Sequence, residues 1–214
     1  MTKDDNATVK RIAIISAGLS KPSSTRLLAD KIADAVTTRL AEQGFEVTAD
    51  TFELRDTAVD TTNNILTGFP SPKLSVVLER VSTADGLIAV TPVFTSSYNG
   101  LFKSFFDVLD DQALVDMPVL IGATAGTPRH SLVLDYAMRP LFTYLHAIVV
   151  PTGVFAASSD WGAGEQDTSP LSYRIDRAAG EFAALVGTTQ RTQELRDPFA
   201  FGSGFSPTGS YVID

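Results

Sequence analysis

Apolar residues along the chain gather in five short runs, and after each run they spread out to helical spacing. Ile12–Ile15, Phe45–Leu54, Leu87–Val90, Met117–Ile121 and Ile148–Phe155 read as strands. Leu28, Ile32, Val36 and Leu40 recur at helical spacing, as do Leu74, Val77, Leu78 and Val81. The segment LFKSFFDVLDD is amphipathic, and a helix from Ser131 to His146 is interrupted by Pro140, whose ring and missing N–H predict a kink or a widened turn. Leu171, Ile175, Ala178, Phe182 and Leu185 give a last helix. Only the second run partly alternates, which puts it near a sheet edge, and Gly44 before it suits a helix C-cap. Asp56–Pro72, rich in Thr, Asn, Gly and Pro, reads as a surface connection.

Strands and helices alternating five times imply an α/β fold, a parallel sheet covered on both faces. All strand-to-helix loops then lie on one edge, where such sheets bind ligands. Three of those loops are built from small residues: Ser16–Thr25, Thr91–Gly100 and Gly122–His130. The first, within RIAIISAGLSKPSSTRLL, sits over a helix N-terminus, so free N–H groups and the hydroxyls of Ser23, Ser24 and Thr25 can receive an anion. It is neither a P-loop nor a dinucleotide fingerprint, because it lacks the Gly-Lys-Ser/Thr ending and Gly18 is its one glycine. A single terminal phosphate, as on a mononucleotide, suits it; a serine-capped helix after a buried strand is the plainer alternative. With three loops on one edge, the pattern describes a pocket for a planar ring with a phosphate tail.

Composition narrows the chemistry. The 214 residues contain no cysteine, which removes thiolate nucleophiles, disulfides and cysteine-held clusters, and the two histidines, His130 and His146, have no triad spacing. A net charge of −8 without a basic stripe argues against nucleic acid. No stretch approaches the roughly 20 apolar residues of a membrane span, and the polar first nine residues are no signal peptide, so a cytoplasmic protein is expected. The length suits one domain over residues 1–187, with 188–214 as a polar tail bearing Phe199, Phe201, Phe205 and Tyr211 that is expected to be disordered or docked on a neighbouring subunit.

Two runs carry a family resemblance: ADGLIAVTPVFTSSYNGLFKSFFDVL (Ala84–Leu109) and GATAGTPRHSLVLDYAMRP (Gly122–Pro140). They match a T-P-V-Y-x-x-S-Y-x-G-x-x-K run and a T-G-G-T followed by L-D-Y-x-x-x-P, so the chain resembles the NAD(P)H-dependent FMN reductases of the flavodoxin-like fold. The reductase components of two-component alkanesulfonate monooxygenase systems are the nearest type, and the likeness covers about Arg11–Phe155. It implies a three-layer α/β/α sandwich with a five-stranded parallel sheet in the order 2-1-3-4-5. FMN and NADPH, with NADH an alternative, are the implied cofactors, and a flavin-dependent monooxygenase and a homodimer or homotetramer the implied partners.

By the same resemblance Ser16, Ser23, Ser24 and Thr25 hold the FMN phosphate; Pro92, Val93, Phe94 and Ser97 wrap the ribityl chain and ring flank; and Thr124, Ala125, Gly126 and Thr127 meet the pyrimidine edge. Phe94 stands where tyrosine is usual and Ala125 where glycine is. The flavin then does the chemistry, taking hydride at N5 from a nicotinamide stacked at about 3–3.5 Å, and no protein side chain is a catalytic group. A quinone or azo-compound reductase with tightly held FMN and a flavodoxin-type carrier are the rival functions. His130 reads as a cap or surface residue, with contact to the flavin or nicotinamide the alternative, and Lys103 as an ion-paired stem. Phe102, Phe105 and Phe106 are core or subunit interface, Tyr136 is expected near a subunit contact, with contact to the flavin the further option, and Trp161 is read as a lid or an anchor.

Overall fold

A computed structural model of the protein describes residues 8–161 and 170–191. Its centre is three neighbouring strands, β1 (Val9–Ser16), β3 (Gly86–Phe94) and β5 (Pro118–Ala125), with β2 (Glu46–Glu53) at one edge. Side chains alternate between two cores, as a strand covered on both faces requires. Ala13, Ile15, Leu87, Ala89, Val119 and Ile121 enter one; Ile12, Ile14, Ile88, Val90 and Leu120 enter the other. The second core is closed by α1 (Ser24–Glu42) and, at the chain's other end, the helix Leu171–Thr188. Covering the first are α2 (Ala58–Thr67), α3 (Pro72–Ser82), α4 (Gly100–Asp107) and α5 (Arg139–Tyr144), which leaves Leu171–Thr188 as α6.

The parallel order β2-β1-β3-β5 and then the last strand position is the expected 2-1-3-4-5 arrangement. Seven strands occupy these five positions because of two local events. A two-residue strand, β4 (Ser97–Tyr98), folds back antiparallel on the end of β3. The fifth position is split into β6 (Ile148–Val149) and β7 (Val154–Ala157), both parallel to β5. Val119 pairs Val149 and Gly122 pairs Val154, so three steps on β5 face five on its partner. Pro151, which has no N–H to give the ladder, lies in the extra length. Side chains replace the lost ladder bonds: Arg139 donates to the carbonyls of Val150 and Pro151, both at 3.0 Å, and Glu181 of α6 accepts from Thr152 N–H and Oγ1, both at 2.8 Å.

Pro140 has the expected effect. Residues Leu134–Met138 form a π turn in which the Arg139 N–H reaches back five residues to the Leu134 carbonyl. The connection Asp56–Pro72, however, is not irregular: Leu54–Thr57 is a short 3₁₀ turn and α2 follows. Leu54, Thr57, Thr61 and Asn64 face inward at helical spacing, and Thr61 and Thr62 bond back to the carbonyls four residues earlier, both at 3.0 Å. Polar composition therefore concealed a periodic helix.

All three phenylalanines of α4 are core, none interface: Phe102, Phe105 and Phe106 are buried, and Phe106 meets Phe142 edge-on at 5.0 Å. Lys103 pairs with Asp107, one helical turn on. Trp161 is partly buried against the core between α1 and α6. Arg191, within the expected tail, donates to the carbonyls of Ala84 and Ala113, both at 2.7 Å, and residues 192–214, with their four aromatic residues, lie outside the described residues. No helix among the described residues is long and apolar enough to cross a membrane.

The Glu181 anchor gives a pH-dependent stability. Burial alone raises its carboxyl pKa, but the hydrogen bonds from Thr152 and Arg177 outweigh that, and the folded-state value is lowered. A lowered value adds stability above the unfolded-state pKa and loses it as pH falls through the folded one. Glu181→Ala is expected to cost about 1–2 kcal/mol at pH 7 and distinctly less near pH 3, read by thermal melts of both proteins at the two pH values.

Candidate functional site

β1 ends at Ser16, whose fully buried Oγ has no hydrogen-bond partner. The next residue stays pinned to the sheet, Ala17 N–H donating to the Val90 carbonyl at 2.9 Å. The loop then folds tightly over α1. A Cβ on Gly18 would stand 2.0 Å from Ser23 Oγ, so a side chain there would push the Ser23 hydroxyl from its place. Ser23 caps α1 by accepting from the Arg26 N–H at 3.2 Å, which leaves its own O–H free to donate. Ser24, the first residue of α1, is exposed and adds a hydroxyl beside the N–H groups that the first helical turn leaves unpaired.

Apart from the exposed Lys21, charge around this loop is structural. Arg26 bonds to Asp30 at 2.7 Å and Glu53 at 3.1 Å, and its pKa is raised mainly by the Asp30 hydrogen bond. Arg55 pairs with Glu53 and donates to the Ser20 carbonyl at 2.6 Å, holding the loop from the end of β2. An anion here would therefore be held by hydroxyl and N–H donors. Each such charge-assisted bond contributes about 1.5–3 kcal/mol against about 0.3–1 kcal/mol for the helix dipole, so the donors dominate.

The second loop is shorter than its sequence suggests, because β3 runs on to Phe94. Pro92 still pairs with Thr124 of β5, and Phe94 pairs with Ser97 of β4. Thr95 and Ser96 make the two-residue turn between them with φ of 47° and 68°, an unfavourable conformation for a β-branched residue. Asn99 fixes this loop to the first: its side-chain amide donates to the Ala17 carbonyl at 2.8 Å while its Oδ1 caps α4 on the Phe102 N–H at 2.8 Å. Thr25 Oγ1 and Thr124 Oγ1, both buried, share a hydrogen bond of 2.8 Å that ties the first loop to the third.

All twelve positions singled out from the sequence thus belong to the C-terminal ends of β1, β3 and β5 and the segments directly after them. Ser16, Thr25 and Thr124 are buried; Ser24, Phe94 and Gly126 are exposed; Ser23, Pro92, Val93, Ser97, Ala125 and Thr127 lie between. No atom lies within 4 Å of where a Gly126 Cβ would be, and Thr127 Oγ1 is buried without a partner. Unpaired hydroxyls on Ser16 and Thr127, with open space over Gly126, fit a ligand that has an anionic tail and a flat polar ring, as FMN has. Beyond the third loop a cleft of about 480 Å³ opens between Ser96, Ser97 and the segment Arg129–Ala137.

Sequence reasoning missed the residues that assemble these loops. Asn99 carries a signal, an Asn directly before a helix, which suits an N-cap. Glu53 and Arg55 carried none, since the loop groups they hold, Arg26 and the Ser20 carbonyl, are 27 and 35 positions away in sequence.

The family model described as NADPH-dependent FMN reductase matches residues 10–162. An FMN reductase (NADPH) of Pseudomonas aeruginosa is 37% identical over 179 residues, 83% of this chain and 92% of that one. An NADH-dependent FMN reductase, SfnE, of Pseudomonas putida is 35% identical over 85% of this chain and 95% of its own length. Among solved structures, an oxidoreductase from Corynebacterium diphtheriae shares 48% identity at a TM-score of 0.82, covering 86% of this chain and all of that one. With a family model and relatives matched along most of its length, the chain belongs to the NADPH-dependent FMN reductase family, oxidoreductases that act on FMN with a nicotinamide nucleotide.

Proposed function

We propose that the three joined loops are the flavin site of this reductase and that reduced FMN leaves it for a flavin-dependent monooxygenase. The observation that carries the site is the Thr25–Thr124 hydrogen bond, which sets the hydroxyl-rich turn against the open end of β5. In this reading Ser16, Ser23, Ser24 and Thr25 hold the phosphate, Pro92, Val93, Phe94 and Ser97 flank the ribityl chain and ring, and Thr124–Thr127 face the pyrimidine edge. The bound flavin supplies a hydride acceptor at N5. N–H groups of the third loop stabilise negative charge on the ring edge, and the absence of tryptophan from the three loops leaves a ring face open to the nicotinamide.

The same reading places the enzyme in the cytoplasm with its nicotinamide nucleotides and makes it a homodimer or homotetramer. Leu132, Tyr136 and Tyr144, exposed along one helical segment, offer apolar surface for contact between copies.

Two measurements test this. Ser24→Ala should weaken FMN binding by about tenfold or more, the loss of one hydrogen bond to a charged group, while riboflavin, which has no phosphate, binds within about twofold of wild type. Equal losses for the two flavins would remove the phosphate from this loop. In steady-state nicotinamide oxidation with FMN, FAD or a quinone as acceptor, free FMN should saturate as a substrate; FMN that survives purification together with faster quinone turnover would favour a quinone reductase instead.

A further inference from the structure

Glu53, the last residue of β2, is the one carboxylate shared by both arginines at the first loop. Its Oε1 accepts from Arg26 Nη1 at 3.1 Å, its Oε2 pairs with Arg55, and its side chain is only 17% exposed. Two other carboxylates face these arginines: Asp30 lies 2.7 Å from Arg26 Nε and Asp56 4.0 Å from Arg55 Nε. Both are more open to solvent, at 44% and 60%. A partly buried charge is screened less than an exposed one, so of the three Glu53 weighs most on the field at the loop.

Both arginines sit against the loop itself. Arg55 donates to the Ser20 carbonyl at 2.6 Å, in the middle of the loop, and the Arg26 N–H is the group that Ser23 caps. A guanidinium fork can take two phosphate oxygens at once, which makes an arginine the strongest anion holder such a turn can recruit. Here each fork is occupied instead: that of Arg26 by Asp30 and Glu53, that of Arg55 by Glu53 and the Ser20 carbonyl.

We propose that Glu53 sets the flavin affinity: by holding Arg26 and Arg55 it keeps two positive charges off the flavin phosphate, so that bound FMN stays exchangeable. An enzyme that takes free FMN and lets reduced FMN go needs a phosphate site that is selective without being tight. The hydroxyl and N–H donors of the loop supply the selectivity, and Glu53 withholds the charge. It acts through the two arginines and is a positioning residue, not a catalytic one. The inference rests on the phosphate placement proposed above.

Fluorescence titration of the full chain with FMN and with riboflavin tests it, with FMN release followed by stopped-flow displacement. Glu53→Gln, which keeps the shape of the side chain and removes its charge, should bind FMN about fivefold or more tightly than wild type and release it more slowly by a similar factor, while riboflavin stays within about twofold. The gain should shrink as salt rises. Glu53→Asp, which keeps the charge, should show no gain, and Arg26→Gln added to Glu53→Gln should remove most of it. Asp30→Asn, at a more exposed position, releases Arg26 in a second way and should give a smaller gain of the same sign. Unchanged or weaker FMN binding in Glu53→Gln, or in Asp30→Asn where Glu53→Gln does not fold, overturns the inference; a selective loss of FMN in Ser24→Ala beside that result leaves the phosphate placement standing. Equal losses of FMN and riboflavin in Ser24→Ala overturn the placement and this inference with it.

Discussion

Two hydrogen bonds hold the ligand edge of this protein together, and neither lies within a strand or a helix. Thr25 to Thr124 joins the first loop to the third, and Asn99 to Ala17 joins the second to the first. Parallel pairing brings the ends of β1, β3 and β5 to one edge, but it does not set how the segments beyond those ends lie against one another. The two side-chain bonds do. Their partners are 99 and 82 positions apart, and each is buried, so breaking one leaves polar groups unpaired in the interior as well as loosening the loops.

Around that junction the charged residues act as struts. Glu53 sits between Arg26 and Arg55, and Arg55 carries the connection on to the Ser20 carbonyl. The arrangement keeps the turn in shape without placing a fixed cation on it, and the hydroxyl and N–H donors remain to meet an anion. On the far side of the third loop Arg129 is exposed, and no carboxylate among the described residues pairs with it.

Much of this was legible in the sequence because the core obeys periodicity. Ile12–Ile15 and Leu87–Val90 are unbroken apolar runs, as strands buried on both faces must be, and Leu28, Ile32, Val36 and Leu40 mark one face of α1. The topology followed from the alternation of the two patterns. Legibility failed where polar side chains satisfy the backbone themselves. Helix α2 was hidden by threonines that bond to their own helix, the split of the last strand by Thr152 and Arg139 standing in for ladder bonds, and the extension of β3 by a turn whose residues, Thr95 and Ser96, are not the glycine or asparagine such turns favour. Within the site, local sequence indicated which residues line the loops but not which ones fasten them, because fastening joins residues far apart in the chain.

The central claim is that one flat, phosphate-tailed ligand is held where these three strand ends meet. A crystal structure of the FMN complex tests it most directly. The account predicts the phosphate within hydrogen-bond distance of the Ser23, Ser24 and Thr25 donors and the pyrimidine edge of the ring against residues 124–127. A flavin bound elsewhere, or one whose phosphate faces solvent while the Ser16 and Thr127 hydroxyls stay unpaired, would contradict it.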